Sequence, residues 1–125
     1  TWTKFPGNPV LEWEPDFRDP KVFWHAPTRR WVMAIVKAAE RRLRLYTSPN
    51  LRDWTLASTF GPEGVPADRI PNWECPDLFE LPVDGEPGAT RWVLHVGMGH
   101  GHPAGGSGGQ YFVGTFDGVR FVNDN

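Results

Sequence analysis

One cysteine in 125 residues, Cys75, excludes an internal disulfide and leaves the redox compartment undecided. No apolar run is long enough to cross a bilayer, and no basic, apolar, small-residue leader follows Thr1. Neither a membrane anchor nor a signal peptide is therefore expected in the chain, and its localisation, secreted or cytoplasmic, stays open. A surplus of one charge is missing too: the formal net charge is −2, from mixed acids and bases. That balance offers no footprint for nucleic acid or an anionic membrane surface. What is abundant is aromatic and angular, with seven Trp, eight Phe, 14 Gly and 13 Pro. Such a mixture suits short strands joined by tight turns and disfavours long helices, so an all-β fold is expected.

Along the chain, prolines 6, 9 and 15 break the first 16 residues into an extended lead-in with a short strand at 10–13. Four strands are then expected at 21–26, 31–37, 43–48 and 54–60, the first two pairing as a hairpin. The stretch 61–72, with Pro62, Gly64, Pro66 and Pro71, is too broken for helix or strand and reads as a loop across one end of the sheet. The pattern then restarts, with strands at 77–83, 91–97, 111–116 and 119–122 and a Gly/Pro turn at 84–90.

The halves superimpose as sequence. Pro20-Lys21-Val22-Phe23 matches Pro76-Asp77-Leu78-Phe79, Trp31-Val32-Met33 matches Trp92-Val93-Leu94, and Asp53-Trp54 falls roughly where Arg120-Phe121 does. Residues 1–61 thus form a lead-in and one unit, and 62–125 a second. Tandem units of four antiparallel strands are the signature of propeller blades; two unrelated meanders in one sandwich are the alternative. Two blades cannot close a ring, so the apolar terminal faces call for further blades from a longer chain or for self-association.

Asp19 and Glu74 occupy equivalent places, one position apart, at the start of the first strand of each unit. In a propeller the first strand lines the axis, so both carboxylates would converge at one end of a central funnel. Glycoside hydrolysis needs such convergence, with one carboxyl as proton donor and another ionised beside an oxocarbenium-like transition state. The bland reading is that both merely accept backbone N–H bonds at strand ends. Arg18 is a candidate clamp for hydroxyls or for Asp19. Trp73 and Trp24 are candidates for stacking on sugar or lowering the local dielectric, against the more ordinary role of packing between blades.

Phe17-Arg18-Asp19-Pro20-Lys21-Val22 and Trp73-Glu74-Cys75-Pro76-Asp77-Leu78-Phe79 resemble two signature blocks of glycoside hydrolase family 32, the invertase, levanase and inulinase group. Asn8-Pro9-Val10, the segment Tyr46-Thr47-Ser48-Pro49-Asn50-Leu51-Arg52-Asp53-Trp54, and Tyr111-Phe112-Val113-Gly114-Thr115-Phe116-Asp117-Gly118 resemble the same family in order and spacing. The resemblance implies a five-bladed β-propeller that hydrolyses fructosyl bonds of sucrose, levan or inulin with retention, using no metal and no cofactor. It implies Glu74 as general acid/base, Asp19 as the aspartate that binds fructose hydroxyls and stabilises the transition state, and Arg18 as its substrate-binding neighbour. Trp73 and Cys75 would support the acid rather than react. The partner implied is a fructose-containing oligo- or polysaccharide.

The family's nucleophile belongs to a Trp-Met-Asn-Asp-Pro-Asn-Gly-like block on the first blade, and no such block occurs here. The chain therefore resembles the second and third blades, and little or no hydrolase activity is expected of it alone, since retention needs the nucleophile. Two rival readings remain at the level of sequence: a related five-bladed glycosidase acting on arabinosides or xylosides, and a non-catalytic sugar-binding or assembly module. Gly99-His100-Gly101-His102-Pro103 and the glycines after it lack a third metal ligand nearby and the Gly-Lys-Ser/Thr ending of a phosphate loop, so a loop at the blade edge is expected. His25 and His95, inside strand runs, are expected to pack.

Overall fold

A computed structural model describes residues 1–66, 68–69 and 72–124. Of the loop expected at 61–72, Ala67, Ile70 and Pro71 lie outside the described residues. The first sheet consists of β1 (Phe17–His25), β2 (Arg30–Lys37), β3 (Arg42–Ser48) and β4 (Thr55–Phe60). The second consists of β5 (Glu74–Pro82), β6 (Thr90–Met98), β7 (Gly108–Phe116) and β8 (Phe121–Asn123). In each sheet every strand pairs antiparallel with the next, giving the orders β1-β2-β3-β4 and β5-β6-β7-β8.

The two sheets pack face to face. Val32, Ala34, Val36, Leu43 and Leu45 of the first meet Leu78, Leu94, Val96 and Phe112 of the second in one buried cluster. Aromatic rings seal the seam: Phe60 lies 5.0 Å from Phe112 and 5.2 Å from Phe121, both edge-on. Each wholly buried Leu or Val here contributes on the order of 1.5–3 kcal/mol over its exposed state. The continuous apolar run of β2 follows from this placement, because its other face is also covered. There Met33 and Ile35 pack with Tyr46, Leu11, Phe17 and Trp54.

The cover is the lead-in, which forms no strand at 10–13. It is pinned instead by side chains: Lys37 Nζ donates to the Pro15 carbonyl at 2.8 Å and lies 3.1 Å from Glu14, which also pairs with Arg44. Residues 10–13 keep their own N–H groups, but Pro9 and Pro15 on either side cannot extend a ladder, and charged side chains fix the segment where a strand would have used main-chain bonds.

Both inner strands begin earlier than the apolar pattern indicates, because each opens with a β-bulge. On β1, Arg18 pairs with Val36 and Lys21 with Ala34, so Asp19 and Pro20 together oppose one residue of β2. On β5, Glu74 pairs with Gly97 and Asp77 with His95, so Cys75 and Pro76 together oppose one residue of β6. The bulged residues, Asp19 (φ 57°) and Cys75 (φ 45°), are both left-handed. Register thus matches Asp19 with Cys75 and Arg18 with Glu74, which is the physical meaning of the one-position offset between the two acids.

Candidate active site

A left-handed non-glycine residue costs on the order of 1–3 kcal/mol and persists only where its surroundings over-determine it. Here each bulge constrains the other. Asp19 Oδ2 accepts the Cys75 backbone N–H at 2.9 Å, while Arg18 Nη1 donates to Glu74 Oε1 at 3.1 Å. One step further in, Lys21 Nζ lies 2.9 Å from Asp77 Oδ1, an ion pair by distance that lacks the direction of a hydrogen bond. Three consecutive cross-links therefore join β1 to β5 and bring Arg18, Asp19 and Glu74 together at one end of the paired sheets.

Glu74 is held from two sides. Besides Arg18, Asn72 Nδ2 donates to its Oε1 at 3.0 Å. Arg18 also grips Asp16 Oδ1 at 2.7 Å, so the guanidinium spans two carboxylates. The Arg18 and Glu74 side chains keep 40% and 34% of their surface in solvent, enough to meet a ligand. Cys75 is at the surface, yet desolvation in the bulge, then the charge and hydrogen bond of Asp19 and the charge of Glu74, push its thiol above the ordinary value. A thiol kept protonated is a poor nucleophile.

Trp73 does not reach the site. It is wholly buried, stacked on Phe60 with ring centroids 6.3 Å apart, and its backbone N–H donates to the Ala38 carbonyl at 3.1 Å. Of the roles weighed for it, stacking on sugar is excluded; it anchors the start of β5 from within the core. Trp24 lies at the opposite end of β1, about 17 Å from Asp19 at roughly 3.3 Å per residue. It packs edge-on to Trp31 and helps line a separate hollow of about 350 Å³ with His25, Glu80 and Trp92.

The histidines divide as their positions in the chain indicate. His25 is buried, with Nδ1 2.8 Å from Thr28 Oγ1, and half-buried His95 packs on Gly109. His102 accepts the Ala104 N–H within the loop between β6 and β7. No group of three His, Cys, Asp or Glu able to hold a metal gathers among the described residues. That loop starts at the carboxylate end: a Cβ built on Gly99 would lie 4.0 Å from Glu74 Oε2 and 3.8 Å from Asn72 Oδ1. Asn72 was not singled out from sequence; it precedes β5, and its place on the same side of buried Trp73 as Glu74 shows in the bond between them.

The sequence profile of the glycosyl hydrolases family 32 N-terminal domain matches residues 1–125. The chain belongs to this family. It is 54% identical over 127 residues to a levanase of Bacillus subtilis, covering 100% of this chain and 18% of that protein. To an extracellular exo-inulinase of Aspergillus niger it is 45% identical over 135 residues, covering 99% of this chain and 24% of the relative. A fructofuranosidase from Schwanniomyces occidentalis, complexed with fructose, superimposes with a TM-score of 0.88 at 40% identity, over 98% of this chain and 23% of the other. The chain spans about a fifth of the length of these family 32 relatives. Its two sheets are blades of the family's five-bladed β-propeller. The family match leaves the arabinoside or xyloside reading without support. No helix among the described residues is long and apolar enough to cross a membrane.

Proposed function

We propose that these residues form part of the catalytic centre of a retaining β-fructofuranosidase acting on fructosyl bonds such as those of sucrose, levan or inulin. The observation that carries the reading is the pair of interlocked bulges, which sets Arg18, Asp19 and Glu74 side by side on two different blades. The levanase and exo-inulinase relatives, and the fructose complex of a similar structure, support fructosyl units as the substrate.

In this mechanism a carboxylate outside the chain attacks C2 of the fructosyl unit. Glu74 gives its proton to the departing glycosidic oxygen as the C2–O bond breaks. Asp19 accepts hydrogen bonds from the fructose hydroxyls and offsets positive charge developing on the ring, with Arg18 fixing the sugar alongside. Water then attacks C2 of the covalent intermediate, giving a proton to Glu74, and releases fructose with the anomeric configuration retained. Cys75 takes no covalent part.

The test is Glu74→Gln in the full-length protein that contains these residues. Hydrolysis of sucrose or levan should fall by about 10²–10⁴-fold, the usual contribution of a positioned acid/base. Unchanged turnover would move the proton donor elsewhere. Fructan binding with no hydrolysis by the unaltered full-length protein would favour the non-catalytic sugar-binding reading instead.

A further inference from the structure

The geometry points to Asn72 as a positioning residue that, together with Arg18, assigns the two oxygens of Glu74 different tasks, so that Oε2 alone delivers the proton. This inference rests on the role proposed for Glu74 and adds which atom acts and what selects it. Two donors converge on the same oxygen: Asn72 Nδ2 at 3.0 Å and Arg18 Nη1 at 3.1 Å from Oε1. Oε2 has no hydrogen-bond partner among the described residues, the Glu74 side chain keeps a third of its surface in solvent, and the nearby loop brings only Gly99 toward Oε2, where even a Cβ would sit 4.0 Å away. An oxygen receiving two N–H bonds cannot also point a proton toward them, so in the neutral acid the proton resides on Oε2. When that proton passes to the glycosidic oxygen, the electron pair of the broken O–H bond stays on the carboxylate. Its negative charge is then shared with an oxygen that two donors already face, and nothing has to reorganise at that moment.

The positions of these donors are fixed rather than incidental. Asn72 and Glu74 flank Trp73, whose ring is wholly buried and whose N–H is tied to Ala38. The amide and the carboxylate thus leave the core on the same side of one anchored residue, and rotation of Glu74 away from Asn72 would break two bonds at once.

Two substrates separate this role from a structural one. Sucrose needs its leaving oxygen protonated, whereas fructosyl fluoride expels fluoride without an acid, and kcat/KM for either reports only steps up to the first irreversible bond cleavage. In the full-length enzyme, Asn72→Asp replaces the donor by an acceptor of nearly the same shape, and Asn72→Ala removes the donor alone. Loss of a hydrogen bond to a charged group should lower kcat/KM on sucrose by about 10-fold or more, with Asp worse than Ala. Values on fructosyl fluoride should stay within about twofold of the unaltered enzyme. An equal fall on both substrates, no fall on either, or Ala worse than Asp would overturn the assignment. Glu74→Gln measured alongside keeps the two levels apart. If it shows no dependence on the leaving group, the acid role of Glu74 fails; if it does and Asn72→Asp does not, only the present inference fails.

Discussion

Asp117 shows what a single side chain contributes in this fold. Its Oδ1 accepts the backbone N–H groups of Val119 and Arg120, at 2.8 and 2.7 Å, and closes the turn between β7 and β8. Asn50 does the same between β3 and β4, accepting from Arg52 and Asp53 at 2.9 Å each. The two turns are one device used twice, which is why Asp53-Trp54 and Arg120-Phe121 fall at equivalent places in the two units. The backbone bonds of Arg120 and Val119, aided by the charge of His25, hold the Asp117 carboxyl below its ordinary value. A folded-state value below the unfolded one means stability that is present above the ordinary carboxylate range and lost as pH falls through the lowered one. Asp117→Ala should therefore cost about 1 kcal/mol at neutral pH, discounted for solvent exposure, and less in acid. Urea titrations of the full-length protein at neutral and acid pH would check it, and an equal loss at both would contradict the electrostatic account. Cys75 offers a second pH signature. Because its thiol is pushed above the ordinary value, alkylation by iodoacetamide should be slow at neutral pH and rise only beyond the usual thiol range, although the residue is exposed.

Strands were legible wherever one rule governed them. Eight runs of branched and aromatic residues between turn residues correspond to eight strands in two consecutive sets. Their edges escaped wherever a second rule intervened. β1 and β5 begin at Phe17 and Glu74 rather than at 21 and 77, because a proline that normally ends a strand here sits inside a bulge that continues it. β7 begins at Gly108, three residues before the apolar run, because Gly108 and Gly109 pair with Met98 and Gly97 using backbone alone. The lead-in at 10–13 met the strand pattern but lies on the sheet by side-chain contacts. Gly114, within a motif read for its family likeness, has a separate physical reason to be glycine: a Cβ there would fall 2.0 Å from the Val122 carbonyl. Gly114→Ala should push β8 off β7 and destabilise the second blade by about 1–3 kcal/mol, as overpacking does. Faster amide exchange confined to residues near 113–123 would locate the damage; unchanged exchange there would contradict it.

At the scale of the whole molecule, the end of the sheets where Arg18, Asp19 and Glu74 meet was legible and the completeness of the proposed centre was not, since the chain holds two blades of a five-bladed propeller. The outer face of the second sheet carries Phe79, Leu81, Tyr111 and Val122, with Tyr111 68% and Val122 51% exposed. Register puts these four on one side, away from the seam with the first sheet. The first sheet's outer face has an apolar hollow of about 480 Å³ between the lead-in and Phe17, Met33 and Ile35. In a closed ring each such face is covered by the next blade, whereas in a polypeptide of these 125 residues alone the second sheet's outer face stands open to water and the first sheet's is covered only by the lead-in, with the hollow beside it open. Contiguous apolar surface of that kind drives association, so the isolated polypeptide should form oligomers whose mean mass rises with concentration in light scattering. It should also fail to hydrolyse sucrose or levan, because the block that carries the family's nucleophile does not occur in these residues. Extending the polypeptide by the neighbouring blades should abolish the association and restore hydrolysis together, since one addition covers the faces and completes the centre. A compact monomer at all concentrations would mean that the two blades shield these faces by some other route, and would separate the folding of this unit from the ring it belongs to.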